Sequence, residues 1–191
     1  VAVQAEAAHG LTGMRLVQGQ AIGVAHAWCG GASRQGQCCE KKCKQFRFIL
    51  VSSQNQISSK AEKEFLSINS RTSIEPALKD KASSKIISFK NTILSKKEEK
   101  ELKPGKPSVL SGKVAFVSLL TAIELQKRFG GDIITLPLSK EWVIKAGVED
   151  FKGHTEVFAS EYNKKTVMLM YGNNLKVIPL TTHIPLNNVS S

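Results

Sequence analysis

The segment from Ser111 to Phe129 does most to narrow the choice of fold. Pro104, Gly105 and Pro107 precede it and Gly130-Gly131 follows it. Between them, Val114, Phe116, Val117, Leu120, Ile123 and Leu125 put apolar side chains on most faces of a helix. Glycine stops a helix because it adopts the backbone angles that end one. A helix this apolar cannot sit on a surface with one face in water, and it predicts packing on two sides.

The flanking patterns supply something to pack against. Phe46 to Ser52 reads as a buried strand, Ser59 to Leu66 as a short helix and Lys85 to Phe89 as a further strand. Asp132 to Pro137 predicts a short strand that the proline ends. Ser139 is placed to cap a helix over Lys140 to Lys145, with Gly147 beyond its end. His154 or Thr155 opens a helix running from Glu156 to Tyr162. Two strands follow, Thr166 to Tyr171 and Leu175 to Leu180, joined at Gly172-Asn173-Asn174, residues that tolerate the positive φ of a tight hairpin. Strand-helix alternation closed by a hairpin predicts an α/β fold, a mixed sheet covered by helices.

Composition divides the chain. Residues 1–43 are rich in Ala, Gly, Gln and Cys, and after them Ile, Leu, Lys, Ser and Phe take over. The expected organisation is a Cys/Gly-rich leader over 1–43, outside the domain, and an α/β region over 44–191. All four cysteines, Cys29, Cys38, Cys39 and Cys43, lie in or at the end of that leader. Their spacing lacks the paired C-x-x-C of a zinc site, and a disulfide-built domain would spread them through the fold. Adding His26 gives a weak metal-site reading, beside an incidental cysteine cluster.

The formal net charge is +11. Most of the excess falls in residues 41–100, where lysines alternate with serines and acids, as in Lys96-Lys97-Glu98-Glu99-Lys100. No aromatic side chains interleave, so the run reads as a solvated surface ahead of a nucleic-acid-binding module. The apolar stretch Ala115 to Leu125 is too short and too interrupted to predict a bilayer span.

Three stretches resemble one enzyme family in order and spacing. The first is Gly105-Lys106-Pro107-Ser108, with Gly112 entering the long helix. The second runs Thr135-Leu136-Pro137-Leu138-Ser139-Lys140-Glu141, through Ala146-Gly147, to Gly153-His154-Thr155-Glu156. The third is Leu175-Lys176-Val177 followed by Thr181-Thr182-His183-Ile184-Pro185-Leu186. Across residues 104–187 this constellation resembles the 4-hydroxythreonine-4-phosphate dehydrogenase (PdxA) family.

The resemblance implies a partial α/β/α sandwich of the isocitrate and isopropylmalate dehydrogenase type. It implies oxidation of a phosphorylated hydroxy-amino acid with NAD on the route to pyridoxal phosphate, in the cytoplasm, by a homodimer. It also implies a divalent metal (zinc, magnesium or cobalt), with His154 and Thr155 contacting substrate and His183 ligating the metal. A related phosphothreonate or phosphoerythronate dehydrogenase is an equal fit to these residues. Taken singly, His154 and Thr155 read as helix-capping residues, His183 as a loop histidine, and Lys140 with Glu141 as a charged first turn.

The chain also departs from the family pattern. The Gly-Asp-Pro-Ala-Gly-Ile-Gly-Pro-Glu-like opening is missing. So is the continuation beyond the Thr-Thr-His-x-Pro-Leu motif, which implies two further metal-ligand histidines and most of the NAD site. No Gly-x-Gly-x-x-Gly run substitutes for it. The expectation is a catalytically incomplete piece of such an enzyme, without a membrane segment and holding neither cofactor well alone.

Overall fold

The computed structural model describes residues 2–4, 24–29, 46–53, 66–68, 71–79, 86–91, 93–103, 106–172, 175–181 and 184–189. The chain divides into two compact units, Val1–Asp150 and Phe151–Ser191.

The first unit is built on strands β1 (Ala2–Gln4), β2 (Val24–Cys29), β3 (Phe46–Ser53), β4 (Leu66–Ile68), β5 (Ile86–Asn91) and β6 (Asp132–Thr135). They form one sheet in the order β1-β6-β2-β3-β5-β4. β2 runs antiparallel to both neighbours, and every other pairing is parallel. The sheet is therefore mixed, and the α/β class expected from the alternating pattern holds.

Register explains the core. Ile49 lies beside Ile87 and Val51 beside Phe89 on adjacent parallel strands. Side chains two apart on a strand share a face, so these four form one continuous apolar surface, and all are buried. The sheet is accompanied by helices α1 (Ile74–Lys79), α2 (Lys96–Glu101), α3 (Val109–Phe129) and α4 (Lys140–Lys145), with a 3-10 turn at Arg71–Ser73. α3 packs on β2, β3 and β6 and also against α4. That is the two-sided packing its apolar faces require. By length and composition alone α3 could cross a membrane, yet 56% of its most apolar 18-residue stretch is buried within the fold.

Local chemistry sets its ends. Ser108 and Ser111 form a reciprocal capping box, the Ser108 N–H donating to Ser111 Oγ at 2.8 Å and the Ser111 N–H to Ser108 Oγ at 3.2 Å. Gly130 ends the helix at φ 78°, where a side chain is disfavoured. Near the start, a Cβ on Gly112 would fall on the Trp142 carbonyl and 2.9 Å from the Val143 nitrogen. Only glycine lets α3 and α4 approach this closely.

Several elements differ from the expectations. The charged run at Lys96 is a helix: the Ser95 N–H donates to Glu98 Oε2 at 2.8 Å and the Glu98 N–H to Ser95 Oγ at 3.3 Å. These bonds, the backbone one first, hold the Glu98 carboxyl below its ordinary 4.5. Its neighbour Glu99 is buried and accepts a bond from Ser53 Oγ at 2.8 Å. The Ser-x-x-Glu signature is present in the sequence, and Lys96, Lys97 and Lys100 are exposed, as the solvated reading of the run requires. The helix expected from Ser59 falls outside the described residues except at Leu66, which begins β4.

Two strands of the sheet, β1 and β2, come from residues 1–43. β2 sits between β3 and β6, with His26 in register with Ile49 and Ile133. Cys29 is its last residue, and Cys38, Cys39 and Cys43 lie outside the described residues. Ala25, His26 and Ala27 carry weak strand propensity and dilute the signal of Val24 and Trp28.

The second unit holds α5 (His154–Tyr162), the hairpin strands β7 (Met170–Tyr171) and β8 (Lys176–Val177), and a 3-10 turn at Leu186–Asn188. The hairpin is where the sequence puts it, but its paired arms are two residues long.

Candidate substrate site at the start of the fifth helix

Gly153 occupies the N-cap of α5 without a side-chain cap bond, so His154, Thr155 and Glu156 are the first three helical residues. The expected opening by His154 or Thr155 is thus displaced by one residue. The first i,i−4 bond runs from the Val157 N–H to the Gly153 carbonyl at 3.3 Å. Amides ahead of that bond have no acceptor within the helix and, with the helix dipole, favour a negative group.

Thr155 is held from two directions. Its hydroxyl donates to Glu156 Oε2 at 2.9 Å, and Thr166 Oγ1 donates to its carbonyl at 3.2 Å. An anion arriving at the first turn therefore has to displace the Glu156 carboxylate from the Thr155 hydroxyl. His154 is half-buried and its Nε2 is shielded from solvent.

The other end of α5 is closed by Asn163 at φ 49°, with the Lys164 N–H donating to the Ala159 carbonyl at 3.0 Å. Phe158 is buried, with Tyr162 at 6.4 Å between ring centroids. Burial, and secondarily Glu161, push the Tyr162 phenol up.

The other motif residues fall into structural roles. Ser108 caps α3, Gly112 admits α4, and Thr135 is buried at the end of β6. Lys140 and Glu141 are exposed in the first turn of α4, where Glu141 pairs with Lys145 at 2.6 Å. The structure brings His154 and Thr155 together as consecutive residues of one turn. Thr182 and His183 lie outside the described residues, so their relation to that turn stays an expectation. Sequence reasoning missed the two contacts that orient Thr155. Glu156 could have been found from its third position in the helix, but nothing local pointed to Thr166.

Among the described residues no group of three or more His, Cys, Asp or Glu side chains is arranged to hold a metal ion. They do not by themselves fit a divalent metal, and no chemical step is assigned to one.

The chain is 43% identical over 86 residues to the 4-hydroxythreonine-4-phosphate dehydrogenase of Aquifex aeolicus, covering 44% of this chain and 26% of that protein. It is 38% identical over 89 residues to the D-threonate 4-phosphate dehydrogenase of Salmonella typhimurium, covering 44% and 26%. It thus spans about a quarter of the length of these curated relatives. A solved Salmonella typhimurium structure, assigned as a 4-hydroxythreonine-4-phosphate dehydrogenase, superposes with a TM-score of 0.53 at 25% identity, over 73% of this chain and 43% of that one. Residues 44–191 match the family model described as pyridoxal phosphate biosynthetic protein PdxA, and the chain belongs to that family.

Proposed function

We propose that residues 44–191 are part of an NAD-dependent 4-hydroxythreonine-4-phosphate dehydrogenase acting in pyridoxal phosphate synthesis, and that the chain alone is catalytically incomplete. The observation that carries this reading is the Gly153-His154-Thr155-Glu156 turn opening α5 within the matched family region. Residues 1–43 are read as an appendage whose strands join the sheet.

In this reading His154 and Thr155 bind the phosphorylated substrate. A hydroxyl and an imidazole beside first-turn amides are donors suited to phosphate oxygens or a substrate carboxylate. His183 supplies one ligand to a divalent metal, and a specific site needs at least two more. The complete enzyme is read as a cytoplasmic homodimer with the isocitrate dehydrogenase type of α/β/α sandwich. The similarity to D-threonate 4-phosphate dehydrogenase favours one second reading, in which the same chemistry acts on a phosphorylated sugar acid.

The test is NADH formation by purified chain given NAD, a divalent metal and 4-phosphohydroxy-threonine. The expected result is none, since misplacement of reactants alone costs roughly a hundredfold in rate. Joining the chain to the remaining portion of the Aquifex aeolicus relative should give activity that falls with Thr155→Val. A restored protein inactive on both the hydroxythreonine and threonate phosphates would overturn the dehydrogenase reading. Turnover by the unmodified chain, abolished by His183→Ala, would overturn the incompleteness.

A further inference from the structure

The first turn of α5 has no side-chain cap, because Gly153 stands at its N-cap. A helix start without that bond keeps its leading amides unpaired within the helix and frays readily. A turn that is to present several donors in one geometry therefore needs support from outside the helix. Thr166 gives it: its Oγ1 donates to the Thr155 carbonyl at 3.2 Å. A carbonyl has two lone pairs, so this bond adds to the helical pattern without competing with it.

The route of the chain delivers that hydroxyl. From Thr155 to Tyr162, α5 rises about 10 Å at 1.5 Å per residue. Asn163 then turns the chain at φ 49°, and the Lys164 N–H closes on the Ala159 carbonyl at 3.0 Å. Lys164 to Thr166, in extended backbone, spans roughly 10 Å, the length needed to come back to the first turn. Thr166 is itself exposed, so packing is not its contribution.

The two contacts on Thr155 respond differently to a ligand. The bond from its hydroxyl to Glu156 Oε2, at 2.9 Å, is made by the atom a ligand would use, and it is exchanged on binding. The bond from Thr166 is made to the backbone and need not break. It can hold the turn equally in the empty and the occupied state, which lowers the ordering that binding has to impose.

We propose that Thr166 is a positioning residue for the substrate turn, its hydroxyl fixing the backbone at Thr155 so that the Thr155 hydroxyl and the first-turn amides meet one anionic group together. The inference rests on the reading of His154 and Thr155 as donors to the phosphorylated substrate, and adds the residue that holds them in place.

Inorganic phosphate is the probe, titrated into the full chain while the amide shifts of His154 to Val157 are followed by NMR. The parent should show saturable shifts at these amides. Thr166→Val, which keeps the shape and removes the donor, and the smaller Thr166→Ala should each raise the dissociation constant at least threefold. Thr166→Ser, which keeps the hydroxyl, should bind as the parent does. No saturable shift at these amides in the parent would overturn the substrate-turn reading and the positioning role together. Binding that Thr166→Val and Thr166→Ala leave unchanged would overturn the positioning role alone. So would Thr166→Ser binding as weakly as Thr166→Val, since the hydroxyl would then not be the cause. Loss of the native amide pattern throughout Phe151–Ser191 in both Thr166→Val and Thr166→Ala would also overturn it, by making Thr166 a support of that whole unit.

Discussion

Ser53 Oγ donates to Glu99 Oε1 across 2.8 Å, with both residues buried. This bond ties the end of β3 to α2, elements far apart in the chain. Hydrogen bonds to carboxylates contribute more than neutral ones, and removing one partner leaves the other desolvated. Ser53→Ala is expected to lower the unfolding free energy by about 1–3 kcal/mol in urea titrations. A change within error would mean that Glu99 does not depend on this donor.

The meeting of Gly112 with Trp142 gives a steric prediction. Because the obstructing atoms are backbone, no rotamer change relieves a Cβ there. Gly112→Ala should push α4 off α3 and destabilise the first unit by about 1–3 kcal/mol, the usual cost of overpacking. Gly172→Ala, whose Cβ would find its nearest heavy atom at 3.6 Å, is the comparison for contact alone. Equal stability of the two variants would contradict the close approach.

The capping box of α2 should depend on pH. Glu98 is held below its ordinary 4.5 in the folded chain, so its contribution is present above that value. The contribution is lost as pH falls through the depressed folded value, where the carboxyl protonates. The stability difference between the parent and Glu98→Ala should therefore be constant near neutrality and shrink in acid. Glu98→Gln, which can cap without titrating, should show a pH-independent difference from Glu98→Ala. Denaturant titrations at several pH values read this directly.

Deleting residues 1–43 removes β1 and β2 and uncovers the edges of β3 and β6 that β2 joins. The expected outcome for 44–191 is a lower and broader thermal transition than that of the whole chain. A transition unchanged in position and sharpness would show that the appended strands contribute nothing to the sheet.

Where local chemistry suffices, the sequence by itself determined the structure. α4 occupies Lys140–Lys145 as its pattern predicts, α3 ends at Gly130, and β3, β5 and β6 lie within a residue or two of their apolar runs. Caps, glycine stops and alternating apolar residues act over a few positions, so they can be read from those positions. The start of α5 at His154 was legible in the same way.

Tertiary structure alone decided the rest. β2 is a strand because Ala25 and His26 find hydrogen-bonding partners on both β3 and β6, despite weak propensities of their own. Within the locally capped helix at Lys96, Glu99 is held in the interior by Ser53, which reaches it from a distant strand. Thr155 is pinned through its carbonyl by Thr166. Each of these outcomes depends on a contact between residues distant in sequence, and a local pattern carries no information about which distant group will arrive.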